Sequence, residues 1–389
     1  MRSSNWTHFE KYLWLTVRSP VLEMLKSIEW LGDRVRWINT LKIPWDEEVI
    51  ESGDPERVAQ AIERMEIRGA PAIGVAAALA VALVATKSET ESLEELKSEL
   101  LFAVQRMKRT RPTAVNLFWA LGRVESVIRA DYSSARELRE AVVREALNIY
   151  EEDIDVNKRM AEIGSKLVDD GETILTHCNA GALATVAYGT ALGVIRAAWE
   201  SGKRVKVIAT ETRPMLQGAR LTVWELMKEG IPVKLITDNM VGYVMSRGLV
   251  SKVIVGADRV ILPGYVVNKI GTYTIAVLAD RHGVPFYVAA PTSTIDYESR
   301  IEDVVIEERN PDEVRTVLSK FYVTLPNVDV LNPAFDITPP ELVTAIITER
   351  GIASKPLEES LLRLRESTNT RIQFHALKPQ HMVLRYIGK

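Results

Sequence analysis

Cys178 is the only cysteine of the chain and lies in Thr173-Ile-Leu-Thr-His-Cys-Asn-Ala-Gly-Ala-Leu-Ala-Thr185. The pattern predicts an apolar strand running out at His177, a turn at Cys178, and a small-residue helix after Gly181. A thiol placed there has two readings. It is a small buried hydrophobe, or it is an active group whose pKa falls beside the unpaired N–H groups of a helix start. Asp258, in Val253-Ile-Val-Gly-Ala-Asp-Arg259, directly follows another apolar run. It reads equally as a turn or cap aspartate and as a proton shuttle on the edge of a crevice.

Four further stretches carry groups suited to an anionic, hydroxylated ligand. In Arg68-Gly-Ala-Pro71, Gly69 permits close backbone approach, Pro71 suits a helix start, and Arg68 supplies a forked cation. Arg111, in Arg111-Pro-Thr-Ala-Val-Asn-Leu117, is a second anion ligand, or part of a charged helix end over 106–112. Gln217, in Glu211-Thr-Arg-Pro-Met-Leu-Gln-Gly218, falls just inside a helix and either binds a hydroxyl or faces water. Asn268-Lys-Ile-Gly-Thr272 reads as a helix opening in which Asn268 and Lys269 stand by a phosphate, or as an ordinary cap with a solvated lysine. Glu151–Asp155 reads as a solvated helix face and not a metal cluster.

Other chemistries lack their signatures. One cysteine excludes an intramolecular disulfide and a Cys-rich zinc site, and the five histidines are scattered. There is no Gly-x-x-x-x-Gly-Lys-Ser/Thr and no Gly-x-Gly-x-x-Gly after a strand, so nucleotide-hydride chemistry is not supported. A net charge of −3 over 389 residues gives no field that favours nucleic acid or an anionic membrane. The uncharged run from Gly69 to Thr86 is dominated by alanine and carries Pro71 and Gly74, which predicts a buried helix of a soluble protein. The first twenty residues lack the apolar core of a secretory signal. A cytoplasmic protein is expected.

These groups need a frame. After Asp169-Asp-Gly171, short apolar runs alternate with helical segments: TILTH, VKVIAT, PVKLITD, KVIVGA, PFYVAA and DVVIEE. The fold class is therefore α/β, with a Rossmann-like, doubly wound parallel sheet. Strand ends in such a sheet line one crevice, which puts Cys178, Glu211, Asp238 and Asp258 along one edge. Before it, a small hairpin with its turn at Gly32-Asp33 leads into a mainly helical domain. Helices are expected from Pro55, Ala72, Ser92 (with Glu95 as a capping box), Thr113 and Ser134. Another is expected over Glu341–Arg350. The expected division is an N-terminal extension (1–22), a helical domain (23–168), the sheet domain (169–354) and a C-terminal extension (355–389).

Taken together, the strings resemble those of one family. The quoted stretches, with Ala289-Ala-Pro-Thr-Ser-Thr-Ile-Asp296 and Asn332-Pro-Ala-Phe-Asp336, are similar to methylthioribose-1-phosphate isomerases, in order over roughly 25–352. Relatives include ribose-1,5-bisphosphate isomerases and regulatory subunits of the exchange factor for translation initiation factor 2. The complete Cys178–Thr185 and Glu211–Gly218 strings favour the methylthioribose enzymes. The resemblance implies an aldose–ketose isomerase of methionine salvage, acting on 5-methylthioribose 1-phosphate without metal or organic cofactor, as a homodimer. It makes Asp258 the proton donor and Cys178 the transition-state stabiliser. It assigns substrate binding to Arg68, Gly69, Ala70, Arg111, Gln217, Asn268 and Lys269. One stretch departs from the family pattern: Val260-Ile-Leu-Pro-Gly-Tyr-Val-Val267 replaces an expected Asn-Gly-Asp-type turn.

Overall fold

The computed structural model describes residues 24–111 and 114–366. The expected 1–22 extension, the end of the tail after 366, and Pro112-Thr113 lie outside the described residues. Alternating apolar positions make β1 (Ile28–Trp30) and β2 (Val35–Ile38), which pair antiparallel around the expected turn, and β3 (Val49–Ser52) adds to β2. The helices follow: α1 (Pro55–Glu63), α2 (Ala70–Lys87), α3 (Leu93–Lys108), α4 (Val115–Ile128) and α5 (Ala135–Ser165). Ser92 and Ser134 accept from the backbone N–H groups of Glu95 and Glu137, which stops those helices at defined points. Apolar on all sides, α2 is wrapped by α1, α3, α4 and α5. It is the one described helix long and apolar enough to cross a membrane, and 78% of that window is buried within the protein.

The second half runs β4 (Thr173–Thr176), α6 (Ala191–Glu200), β5 (Lys206–Thr210), α7 (Val223–Lys228), β6 (Val233–Ile236), α8 (Val241–Ser246) and β7 (Lys252–Val255). Next come β8 (Arg259–Ile261), β9 (Tyr265–Lys269), α9 (Thr272–His282), β10 (Phe286–Ala289) and β11 (Ile295–Asp296). The chain ends with α10 (Asp312–Arg315), β12 (Thr316–Val317), β13 (Phe321–Tyr322), β14 (Phe335–Thr338), β15 (Ala345–Thr348), β16 (Gly351–Ser354) and α11 (Leu357–Glu366). Seven strands form one sheet in the order β16-β15-β10-β7-β4-β5-β6. Only β16 is antiparallel to its neighbour. The chain moves outward from β4 through β5 and β6, then returns to place β7 on the other side of β4. That reversal opens a crevice at the carboxyl ends of β4 and β7. A four-stranded sheet, β11-β8-β9-β14, grows from the end of β7.

Three expectations change. The helix expected over Glu341–Arg350 is a short 3-10 turn, Pro340–Leu342, followed by β15, because Ala345-Ile-Ile-Thr348 is β-branched and buried on both faces. The run DVVIEE is not a sheet strand: a 3-10 turn at Ile301–Asp303 leads into a loop over Val304–Ile306. The helix expected directly after Gly181 is a single 3-10 turn, Ala182–Ala184, and α6 begins only at Ala191.

Leu79, at the centre of α2, has no solvent exposure. Leu79→Ala is expected to cost about 3 kcal/mol, read as a lower midpoint in equilibrium urea unfolding; a cost below about 1 kcal/mol would show that α2 is not the pivot of this core.

Candidate active site

One cavity opens at the β4–β7 crevice, and every residue singled out from the sequence as a site residue lines it: Arg68, Gly69, Ala70, Arg111, Cys178, Gln217, Asp258, Asn268 and Lys269. Glu211 and Asp238 do not line it. The Asp238 carboxylate is engaged elsewhere, accepting from the N–H groups of Thr212 (2.8 Å) and Arg213 (2.7 Å).

Cys178 is 7% exposed and sits in the left-handed region, with φ of 61°. Two threonines hold it there. Its N–H donates to Thr212 Oγ1 at 2.8 Å, and Thr222 Oγ1 donates to its carbonyl at 2.6 Å. These contacts offset the roughly 1 kcal/mol or more that such a backbone costs outside glycine. The turn beyond it is not an anion site. Glu225, fully buried, accepts from Ala182 N (2.8 Å), Leu183 N (3.2 Å) and Asn179 Nδ2 (2.9 Å). Arg196 balances that charge, with Nη2 3.5 Å from Glu225.

Asp258 and Lys269 meet because of the β8–β9 hairpin. Its register pairs Arg259 with Val267, and Asp258 N donates to Val267 O at 3.0 Å. The hairpin thus folds Lys269 back toward Asp258 at the cavity. Val260–Val267, the departure from the family pattern, is this hairpin. Burial raises the Asp258 carboxyl above its ordinary pKa, against the pull of Lys269, Arg68 and Arg111. Burial lowers the Lys269 ammonium, with Cys178 and Asp258 opposing. Lys269 Nζ donates to Ala334 O at 2.9 Å and lies 4.5 Å from the centre of the Phe335 ring.

Asn268 and Lys269 therefore stand on β9 and do not open a helix. The start of α9 is already capped: Asp336 accepts from Gly271 N (2.7 Å) and Tyr273 N (3.1 Å), and burial pushes its carboxyl up to about 6. Asn268 Nδ2 donates to Thr272 Oγ1 at 3.0 Å.

The start of α2 is different. No side chain among the described residues caps it, and it faces the cavity through Gly69 and Ala70. Gly69 has φ of 93°, and a Cβ there would lie 2.3 Å from Ala184 O. No other residue fits so close an approach. Arg68 Nη1 donates to Asn179 O (2.9 Å) and Oδ1 (2.7 Å), so the cation before α2 is held by the Cys178 turn after β4. Arg111 Nη2 lies 3.5 Å from Glu307. Gln217 Oε1 is buried with no hydrogen-bond partner among the described residues.

Sequence reading missed several residues. Val304, Val305 and Ile306, taken for a strand, line the cavity as an apolar wall with Met65. Glu225 is a single acid in an apolar helical stretch, and that was the signal available for it. Asp153, on the stretch read as solvated, instead accepts from Val186 N at 2.7 Å, and burial pushes it up to about 7. Among the described residues, no three His, Cys, Asp or Glu side chains group as a metal site requires.

The sequence pattern of the initiation factor 2 subunit family matches residues 66–355. This chain belongs to that family. Within the initiation factor 2 subunit family it is 54% identical to the methylthioribose-1-phosphate isomerase of Thermosipho melanesiensis, over 87% of this chain and 98% of that one. The crystal structure of 5-methylthioribose 1-phosphate isomerase from Pyrococcus horikoshii OT3 superposes with a TM-score of 0.83 at 43% identity, covering 89% of this chain and 97% of that one. A crystal structure described as translation initiation factor eIF-2B, subunit delta, from A. fulgidus gives 0.79 at 49% identity, over 88% and 99% of the two chains.

Glu225→Gln leaves one amide acceptor where a carboxylate serves three donors, and removes one of the two carboxylates beside Arg196, which keeps its pair with Glu229. The expected cost is about 3 kcal/mol, seen in urea unfolding. Gly69→Ala forces its backbone away from Ala184, so it is expected to lower the unfolding midpoint and, in the folded protein, to weaken substrate binding at least about tenfold; wild-type affinity in that variant would remove the α2 start from the site.

Proposed function

We propose that the protein converts 5-methylthioribose 1-phosphate to 5-methylthioribulose 1-phosphate, an aldose–ketose isomerisation of methionine salvage. The observation that carries this reading is the placement of one carboxyl and one thiol at the same crevice, with the α2 start and two arginines lining the same cavity and burial raising the carboxyl's pKa. Isomerase relatives more than half identical over nearly their whole length support it.

The chemistry sets the roles. Phosphate on the anomeric oxygen masks the aldehyde, so the ring must open first. Asp258, protonated, donates to the ring oxygen as the C1–ring oxygen bond breaks, and a cation develops at C1. Hydrogen then moves from C2 to C1, as a hydride or through an enediol, and loss of the 2-hydroxyl proton completes the ketone. Cys178, at the neighbouring strand end, stabilises that transition state. Arg68, Gly69, Ala70 and Arg111 hold the phosphate at the α2 start, where N–H groups and the helix dipole favour an anion. Gln217, Asn268 and Lys269 orient the hydroxyls. Met65, Val304 and Ile306 exclude water and receive the thioether.

A second phosphate in that place would need a cation to meet it. Arg309 there is already paired with Glu307 and Glu313, and Arg259 with Asp296, which argues against a bisphosphate substrate. A purely regulatory subunit would need neither Cys178 nor a raised Asp258. On the same reading, the large sheet is a Rossmann-like catalytic domain over 169–354 after a helical domain over 23–168, and the enzyme works without cofactor as a cytoplasmic homodimer.

The test is ketose formation from 5-methylthioribose 1-phosphate, with ribose 1,5-bisphosphate alongside. Asp258→Asn and Cys178→Ala are each expected to lose at least about 1000-fold in kcat with the fold intact; full activity in both would overturn the assignment. Because the donor must hold its proton, kcat/KM is expected to fall as pH rises through the Asp258 pKa, which lies above the ordinary carboxylate value. A profile flat on the alkaline side would contradict the donor role.

A further inference from the structure

His177 has no part in the chemistry given to Cys178 and Asp258, yet both of its ring nitrogens are engaged. The side chain is 2% exposed at the cavity wall. Nε2 lies 2.9 Å from the carbonyl oxygen of Ile270. A carbonyl only accepts, so Nε2 carries the proton. Nδ1, 2.6 Å from Thr210 Oγ1, therefore accepts from that hydroxyl in the neutral ring. Burial favours the neutral form and so does Lys269, against Asp238.

These two contacts join three places. Thr210 ends β5, Ile270 follows Lys269 at the end of β9, and Cys178 is the next residue after the ring itself. The ring also packs on the backbone at Gly271, where a Cβ would come within 3.1 Å of Cε1. No backbone ladder links the large sheet to the β8–β9 sheet at this point, because the two are separate sheets. Between the thiol and the Lys269 loop, the imidazole is the connecting strut.

We infer that His177 is a positioning residue for the isomerisation: an imidazole whose Nε2–H is given to Ile270 O, fixing the Cys178 turn against the end of β9 that carries Lys269. The inference rests on the isomerase reading. It predicts that losing the strut misplaces the thiol relative to Asp258 and Lys269 without disturbing the phosphate seat at α2.

The experiment compares His177→Phe and His177→Gln in single turnover with enzyme in excess, where the first-order rate constant does not depend on the folded fraction of the preparation. Gln reaches Ile270 O with its amide N–H, and Phe makes neither contact. His177→Phe is expected to slow the step about 100-fold, and His177→Gln less than about tenfold, with substrate dissociation constants within about threefold of wild type. Thr210→Val leaves the ring and removes only the hydroxyl; it is expected to slow the step about tenfold and carries the test if His177→Phe does not fold. Equal rates in the Phe and Gln variants, or wild-type rates in His177→Phe or in both His177→Gln and Thr210→Val, overturn the inference. Wild-type protein that fails to turn over 5-methylthioribose 1-phosphate overturns the isomerase reading instead, so the two failures are distinct.

Discussion

The loops at the carboxyl edge of the large sheet are held by buried or half-buried carboxylates that accept from backbone N–H groups. Glu225 serves Ala182 and Leu183, Asp238 serves Thr212 and Arg213, Asp336 serves Gly271 and Tyr273, Glu349 serves Thr292, and Asp153 serves Val186. A hydrogen bond to a charged group contributes about 1.5–3 kcal/mol, and an unpaired buried donor costs about as much. Remove these acids and the loops lose both their shape and the satisfaction of their amides. The arrangement also sorts the site by charge. Loop amides that might attract an anion are already neutralised, and α2 keeps its helix start for a ligand.

Around that frame the reacting groups are set by opposition. Burial pushes the Asp258 proton on and the Lys269 proton off, while each group's charge pulls the other back. A carboxyl kept above its usual pKa beside cations is a donor that gives up its proton only when charge develops nearby. The β8–β9 hairpin makes this balance local, since ten residues of chain lie between Asp258 and Lys269 and the register folds the one strand back along the other.

Cys178 is constrained from both sides. Its neighbours along the chain are tied outward, His177 to Thr210 and Ile270, and Asn179 to Arg68 and Glu225. Its own backbone is held by Thr212 and Thr222. Three consecutive residues thus connect the helical N-terminal part, the large sheet and the small sheet. The left-handed backbone at Cys178 persists because so many contacts over-determine it.

Much of this was legible in the chain. Parallel strands before each key residue, the buried alanine-rich helix, the caps at Ser92 and Ser134, and the placement of Cys178 and Asp258 at strand ends all follow from apolar runs and turn chemistry, which are local. The strand-end rule brought Cys178 and Asp258 to the cavity but misplaced Glu211 and Asp238, and the other site residues came from the family resemblance. The loops were not legible. Val304–Ile306 looked like a strand because its side chains are apolar and β-branched, but they cover a cavity instead of joining a sheet. Ala345–Thr348 was taken into a helix because short buried runs do not separate the two periods. Which carboxylate caps which loop depends on partners 25 to 65 residues apart, as for Asp238 with Arg213 and Asp336 with Gly271. Local sequence therefore determined where the chemical groups stand on their strands and helices. Only the tertiary structure decided which backbone amides remain free for a ligand, because that is settled by long-range hydrogen bonds that no local pattern encodes.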